Sequence, residues 1–208
     1  MKTEIFTQFT ATPQQLEQQY RLRYRFCIEH LGWEGRNCVD GMEYDEYDTP
    51  STIYIVCFDD ENIARGMMRI APCSQPYMLK DHWPELVHNE ALPDDDSRWE
   101  ITRFCIEKNI GAAKFSHIFK QLMLSSEMIA KMKNIEEYWW VASKDNLTRI
   151  IRHNHVFAGP GMQIGDEFCY AGKSYAHNML APKHRNFATN QDNEIYNNIK
   201  FKAEGEAA

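Results

Sequence analysis

Residues 43–48, Glu43-Tyr44-Asp45-Glu46-Tyr47-Asp48, place four carboxylates in six positions. Like charges at that spacing repel one another unless cations lie nearby. A solvated acidic loop is one reading. Arginines on other stretches offer a second: Arg23 ahead of Leu31-Gly32-Trp33, Arg69 in a β-rich run, and Arg103 just after Glu100. Guanidinium groups take carboxylates through paired N–H donors, so these arginines could supply the cations that the acidic run needs. Lys108-Asn109-Ile110-Gly111-Ala112-Ala113 is a further signal, since it follows a strand-like run and opens a helical one. Backbone N–H groups there could hold a phosphate or pyrophosphate, against the plainer reading of an ordinary strand-to-helix turn. The glycines at 159, 161 and 165 make no dinucleotide fingerprint, because the third is one place late and a strand follows where a helix is required.

The elements that must position these groups fit a modest frame. A length of 208 residues suits one domain, with 181–208 as a polar tail. Apolar residues make up 43% and charged residues 25%, ordinary globular usage, which excludes disorder as the main state. The net charge of −7 argues against a nucleic-acid partner. With no run long enough to span a membrane and no apolar signal core, a soluble cytoplasmic protein is expected. The six cysteines (Cys27, Cys38, Cys57, Cys73, Cys105, Cys169) form no metal or disulfide pattern, and His153 and His155 lack a third ligand at recognisable spacing.

Thr12 and Pro13 read as an N-cap and first helical position, opening a helix to about Leu31-Gly32. Residues 34–51 read as a long irregular connection. Strands follow over 52–58 and 63–71, joined by the acidic turn 59–62, then a short helix over 78–87 and an alternating strand over 99–106. Phe115, Ile118, Phe119, Leu122, Ile129 and Met132 recur at helical spacing across 112–133. A strand over 137–142, a helix over 145–153, a strand pair over 156–164 and 167–180, and a helical tail over 186–199 complete the reading. The expected class is α/β, a mixed, mostly antiparallel sheet flanked by helices.

Taken together, Arg23 with Trp33 ten residues on, Gly41-Met42 before the acidic run, Arg69 before Ile70-Ala71-Pro72, and Trp99-Glu100-Ile101-Thr102-Arg103-Phe104 resemble the acyl-homoserine-lactone (autoinducer) synthase family. The likeness spans roughly 16–107. It implies a single-domain N-acetyltransferase-like fold and synthesis of a quorum-sensing signal from S-adenosylmethionine and an acyl thioester, carried on acyl carrier protein or CoA. S-adenosylmethionine is then a substrate, and no cofactor or metal is implied. The family's characteristic positions fall here on Arg23, Trp33, Asp45, Asp48, Arg69, Glu100 and Arg103. One departs: the usual aromatic four residues after the first arginine is Cys27, with Phe26 one place earlier.

On that resemblance the residue types make chemical sense. An α-amino group with a pKa of about 7.7–8.0 must lose a proton before attacking a thioester, and Glu100 is the candidate base. Backbone N–H groups after Arg103 would stabilise the oxyanion if the strand bulges there. The substrate's own carboxylate then displaces the sulfonium, closing the lactone and releasing methylthioadenosine. Trp33, Phe26, Asp45 and Asp48 suit the sulfonium, and Arg23, Arg69 and Arg103 neutralise the acids. Phe104, Leu122, Met123, Trp140, Val141 and Ala142 are the candidate acyl slot, with Trp140 favouring a short, unsubstituted, branched or flat acyl group. Lys144, Arg149, Arg152 and Lys173 are the candidate patch for an acidic carrier protein. The rivals are an acyl-CoA N-acyltransferase acting on another amine, and a non-catalytic sensor of S-adenosylmethionine or carrier protein.

Overall fold

The structure, a computed structural model, describes residues 1–33, 37–88, 90–144, 146–147, 155–179 and 199–201. The chain forms two compact units, Met1–Arg69 with Arg103–Ser125 and Thr189–Ala208, and Ile70–Thr102 with Ser126–Ala188.

The first unit contains β1 (Lys2–Phe6), α1 (Pro13–Arg23), β2 (Asn37–Val39), β3 (Met42–Tyr44), β4 (Ile53–Phe58) and β11 (Ile199–Phe201), with parts of β5 (Ala64–Pro72), β6 (Arg98–Ile106) and α3 (Ala112–Lys133). Strand β1 pairs antiparallel to β4 and parallel to β11. α1 starts as the sequence predicts: the Thr12 hydroxyl accepts from the Gln15 N–H, the Gln15 side chain accepts from the Thr12 N–H, and Pro13 occupies the first turn. It does not run on as one α-helix, because Tyr24–His30 is a π-helix in which the Leu31 N–H reaches back to the Phe26 carbonyl. A buried cluster of Phe6, Leu22, Cys27, Tyr54, Val56, Phe58, Ala64, Met67 and Cys105 is the core, with Phe26 and Trp33 packed against it.

Within the expected connection over 34–51, residues 37–51 are more ordered than the sequence suggested. β2 and β3 form a hairpin closed by Asp40 and Gly41, both at positive φ (51° and 71°), the geometry of a two-residue primed turn.

The second unit contains α2 (Met78–His82), β7 (Glu137–Ser143), β8 (His155–Phe157), β9 (Met162–Ile164) and β10 (Glu167–Tyr175), with the remainder of β5, β6 and α3. β6 and β7 are parallel, which requires a crossover, and α3 is the helix between them. β7 and β10 pair antiparallel from Cys169↔Ser143 to Tyr175↔Glu137, and β8 and β9 pair with β10 in turn. The mixed, mostly antiparallel sheet flanked by helices is thus observed.

Three boundaries differ from expectation. The helix over 78–87 breaks before Pro84, and 84–86 is a 3-10 turn. The strand over 156–164 splits into β8 and β9, because the chain bends through Gly159, where a Cβ would sit 2.3 Å from the Leu86 carbonyl oxygen, and Gly161 at φ 85°. Most of the helix expected over 145–153, and the tail over 186–198, lie outside the described residues, while Ile199 opens a strand. No helix among the described residues is long and apolar enough to cross a membrane.

Candidate active site

The first unit gathers three arginines and three acids into one buried group. Arg23 ends α1, Glu43 lies on β3, Asp45 and Asp48 follow it, Arg69 lies on β5 and Arg103 on β6. Their side chains are at most 6% exposed. Arg23 donates from Nε to Glu43 at 2.5 Å and from Nη1 to both oxygens of Asp48 at 2.7 and 3.0 Å. Arg69 pairs with Asp45, with Nη2 to Oδ2 at 3.0 Å, and reaches Asp48 at 3.1 Å. Arg103 donates to Glu43 at 2.8 Å and to Asp45 at 2.5 Å. Three guanidiniums face three carboxylates, so the group is formally neutral, the condition under which charges tolerate burial.

Local backbone geometry turns the acids inward. The Asp45 N–H donates to Asp48 Oδ2, the Asp48 N–H to the Asp45 carbonyl, and the Tyr47 N–H to Asp45 Oδ1, at 2.9, 3.1 and 3.0 Å. Tyr54 donates its hydroxyl to Asp48 at 2.9 Å. Burial would push the Glu43 carboxyl up, but hydrogen bonds from Arg103 and the charges of Arg23 and Arg103 outweigh it and hold it at about 2. Asp48 is likewise held well below the usual carboxylate range, burial again being overcome by Arg23 and Arg69.

Arg103 has φ +49°, a left-handed conformation unusual for a non-glycine residue within a strand. Its guanidinium lies over the Trp33 ring at 5.6 Å. The π-helix bears on the displaced aromatic: Phe26 packs on the same core cluster as Trp33 and stands edge-on to His30 at 5.8 Å.

Glu100 is on the β6 segment of the second unit. Its Oε1 accepts from the Leu79 N–H at 2.7 Å and its Oε2 from the Met78 N–H at 3.0 Å. These are the first two amides of α2, donors with no partner inside the helix, so Glu100 caps α2 and is itself held in a fixed rotamer. Sequence spacing gives no hint of this, because 21 residues separate Glu100 from Leu79.

The acyl-slot residues divide. Phe104, Leu122 and Met123 belong to the first unit, where Phe104 meets Phe119 edge-on at 6.0 Å and Leu122 and Met123 are buried. Trp140, Val141 and Ala142 are consecutive on β7, and alternation corrects their grouping: Val141 packs with Trp139 and Ala171, so Trp140 and Ala142 face the opposite side. There the Trp140 indole N–H donates to Ser174 at 3.1 Å, and its ring meets His155 and Phe157 edge-on at 6.2 and 6.0 Å. Gly172 leaves room for it, since a Cβ there would lie 2.5 Å from the indole.

The structure describes two of the four residues of the expected carrier patch. Lys173 is bound to Glu90 at 2.5 Å and Glu137 at 3.2 Å, which offsets its charge, while Lys144 is exposed and Arg149 and Arg152 lie outside the described residues. At the start of α3, Asn109 and Gly111 have positive φ (60° and 86°), and a Cβ at Gly111 would meet nothing within 4 Å.

The family model for autoinducer synthases matches residues 8–159. The chain belongs to the autoinducer synthase family. It is 30% identical over 157 residues to an acyl-homoserine-lactone synthase of Pseudomonas aeruginosa, covering 73% of this chain and 78% of that one. It is also 30% identical over 129 residues to an isovaleryl-homoserine lactone synthase of Bradyrhizobium diazoefficiens, covering 61% and 58%. The chain spans about half the length of several curated relatives it matches. A CoA-dependent acyl-homoserine lactone synthase, BjaI, solved with SAM and isopentyl-CoA, shares the fold at a TM-score of 0.80 and 20% identity, covering 96% of this chain and 92% of that one. The fold is therefore the N-acetyltransferase-like one of solved autoinducer synthases.

Proposed function

We propose that this protein is an acyl-homoserine-lactone synthase. It transfers an acyl group from a thioester to the amine of S-adenosylmethionine, and ring closure then expels methylthioadenosine. The observation that carries the reading is the neutral, buried set of Arg23, Glu43, Asp45, Asp48, Arg69 and Arg103, in a chain of this family. A purely structural network would need no partly exposed Trp33 against Arg103.

Each role follows from a physical property. Trp33 and Phe26 offer aromatic faces to the sulfonium. Asp45 and Asp48 serve it less by direct charge than by fixing the guanidiniums, which are left to orient the substrate carboxylate. Glu100, its oxygens aligned by two amides, takes the ammonium proton directly or through one water. Backbone N–H groups beyond the φ-positive Arg103 receive the oxyanion. No cofactor is required by this chemistry.

The donor we favour is acyl-CoA with a short or branched acyl group. Lys173, expected to attract an acidic carrier, is already paired, and the N-terminus of α3 offers backbone N–H groups to a diphosphate. One named relative is an isovaleryl-homoserine lactone synthase, and BjaI was solved with isopentyl-CoA. The test is initial-rate kinetics with isovaleryl-CoA and with the same acyl group on carrier protein, following methylthioadenosine. A higher kcat/KM for the CoA thioester is expected; preference for the carrier would overturn the donor assignment, and absence of methylthioadenosine with either would overturn the function.

A further inference from the structure

Cys27, within the π-helical turn, has a thiol partner. Its Sγ lies 4.0 Å from that of Cys105, 78 residues away, and both side chains are 1% exposed in the core cluster against which Trp33 packs. Of the remaining four cysteines, Cys57 contacts Thr3, Cys169 contacts the Glu167 carbonyl, Cys73 is buried in a separate cluster with Tyr77 and Trp139, and Cys38 is exposed on β2.

We propose that Cys27 and Cys105 form an oxidisable dithiol, a modification site beneath Trp33 and Arg103 through which peroxide lowers the activity. A disulfide needs its sulfurs about 2.05 Å apart, so the pair must close by roughly 2 Å. That movement is transmitted at both ends. The Cys27 carbonyl accepts the Trp33 N–H at 2.9 Å, and Cys105 stands two residues after Arg103 on β6. Drawing the sulfurs together therefore displaces both members of the cation–aromatic contact at 5.6 Å. Cys27 lies within the π-helical turn Tyr24–His30, a geometry that is rare in helices and frequent at functional sites.

The chemistry balances with hydrogen peroxide as oxidant. The Cys27 thiolate attacks one peroxide oxygen, breaking the O–O bond and, with one proton, releasing water and leaving a sulfenic acid. The Cys105 thiol then attacks that sulfur, forming the S–S bond and expelling the hydroxyl as a second water. The two sulfurs together lose two electrons, and peroxide gains them. The environment sets the order of events. A hydrogen bond from Cys105, aided by the charge of Arg103, lowers the Cys27 pKa against its burial, whereas burial raises Cys105 well above its ordinary value. Burial also raises Cys57 to about 12 and Cys169 to about 11. Cys27 is thus the attacking thiol and Cys105 the resolving one.

The test treats the full chain with hydrogen peroxide, quenches it, and combines intact mass, peptide mapping and methylthioadenosine formation. The expected result is a loss of two hydrogens, a linked peptide pair containing Cys27 and Cys105, and a rate reduced about tenfold and restored by dithiothreitol. Cys105→Ala is expected to keep the basal rate and to lose the reversible inhibition; Cys38→Ser is expected to respond like the parent. Because the linkage is read by mass, its failure is distinguishable from failure of the proposed activity. A different cysteine pairing, no linkage at all, a linked protein with an unchanged rate, or a Cys105→Ala variant that is still reversibly inhibited would each overturn the proposal.

Discussion

The guanidinium of Arg103 lies 5.6 Å from the centre of the Trp33 ring and also donates to Glu43 and Asp45. One side chain thus joins an aromatic face to the buried acids. Only a planar fork with several N–H donors does this, which is why lysine is a poor substitute.

Removing that fork leaves Glu43 and Asp45 buried with one cation fewer. Arg103→Ala is expected to destabilise the fold by about 3–5 kcal/mol, the usual cost of breaking a buried ion pair from one side. Arg103→Lys should recover only part of it. Urea unfolding monitored by circular dichroism measures both; equal stability of Arg103→Ala and the parent would show that the network contributes nothing to folding.

Acid should attack the same network. Glu43 titrates at about 2 in the folded chain against an ordinary value of 4.5, so its contribution is fully present above about 4.5 and disappears as the pH falls toward 2. Asp48 moves in the same direction. Melting temperatures across this range should fall with decreasing pH, and Glu43→Gln should show a shallower fall from a lower starting point. An identical slope in the variant would remove Glu43 from the acid response.

Glu100 has two separable roles. Glu100→Gln keeps the shape, but its amide group cannot accept from both Met78 and Leu79, so one hydrogen bond to the α2 N-terminus is lost. We expect kcat to drop by about 100-fold or more with a much smaller change in KM, together with modest destabilisation. Loss of stability alone, with kcat intact, would leave Glu100 as a cap and nothing else.

Gly172 and Trp140 give a steric prediction. A Cβ at Gly172 would meet the indole at 2.5 Å and the Val156 carbonyl oxygen at 2.7 Å. Gly172→Ala should cost about 1–3 kcal/mol through overpacking and shift the acyl preference by moving Trp140. Trp140→Ala should broaden the products toward longer chains, and an unchanged acyl profile would remove Trp140 from the slot.

Much of this was legible in the sequence where a local rule applies. Thr12-Pro13 marks the start of α1, alternation marks β6, and apolar spacing marks α3. The arginines answering the acidic run were also legible, because unpaired carboxylates at that density demand cations. The β2–β3 hairpin escaped because its three-residue strands are mostly exposed and carry no apolar pattern, although Asp40-Gly41 is a strong turn signal. Glu43 escaped because nothing in a run of four acids tells which points inward; the turn over 45–48 decides that. Val141 and Trp140 fall on opposite faces of β7, as the two-residue period of a strand requires.

The central claim is that one amine is acylated and the same molecule is then cyclised. The most direct measurement incubates the purified chain with S-adenosylmethionine and isovaleryl-CoA and quantifies N-acyl-homoserine lactone and methylthioadenosine by mass spectrometry. Equal amounts of the two, growing together and absent without either substrate, are the predicted result. Acyl transfer to another amine with S-adenosylmethionine unconsumed would contradict the account.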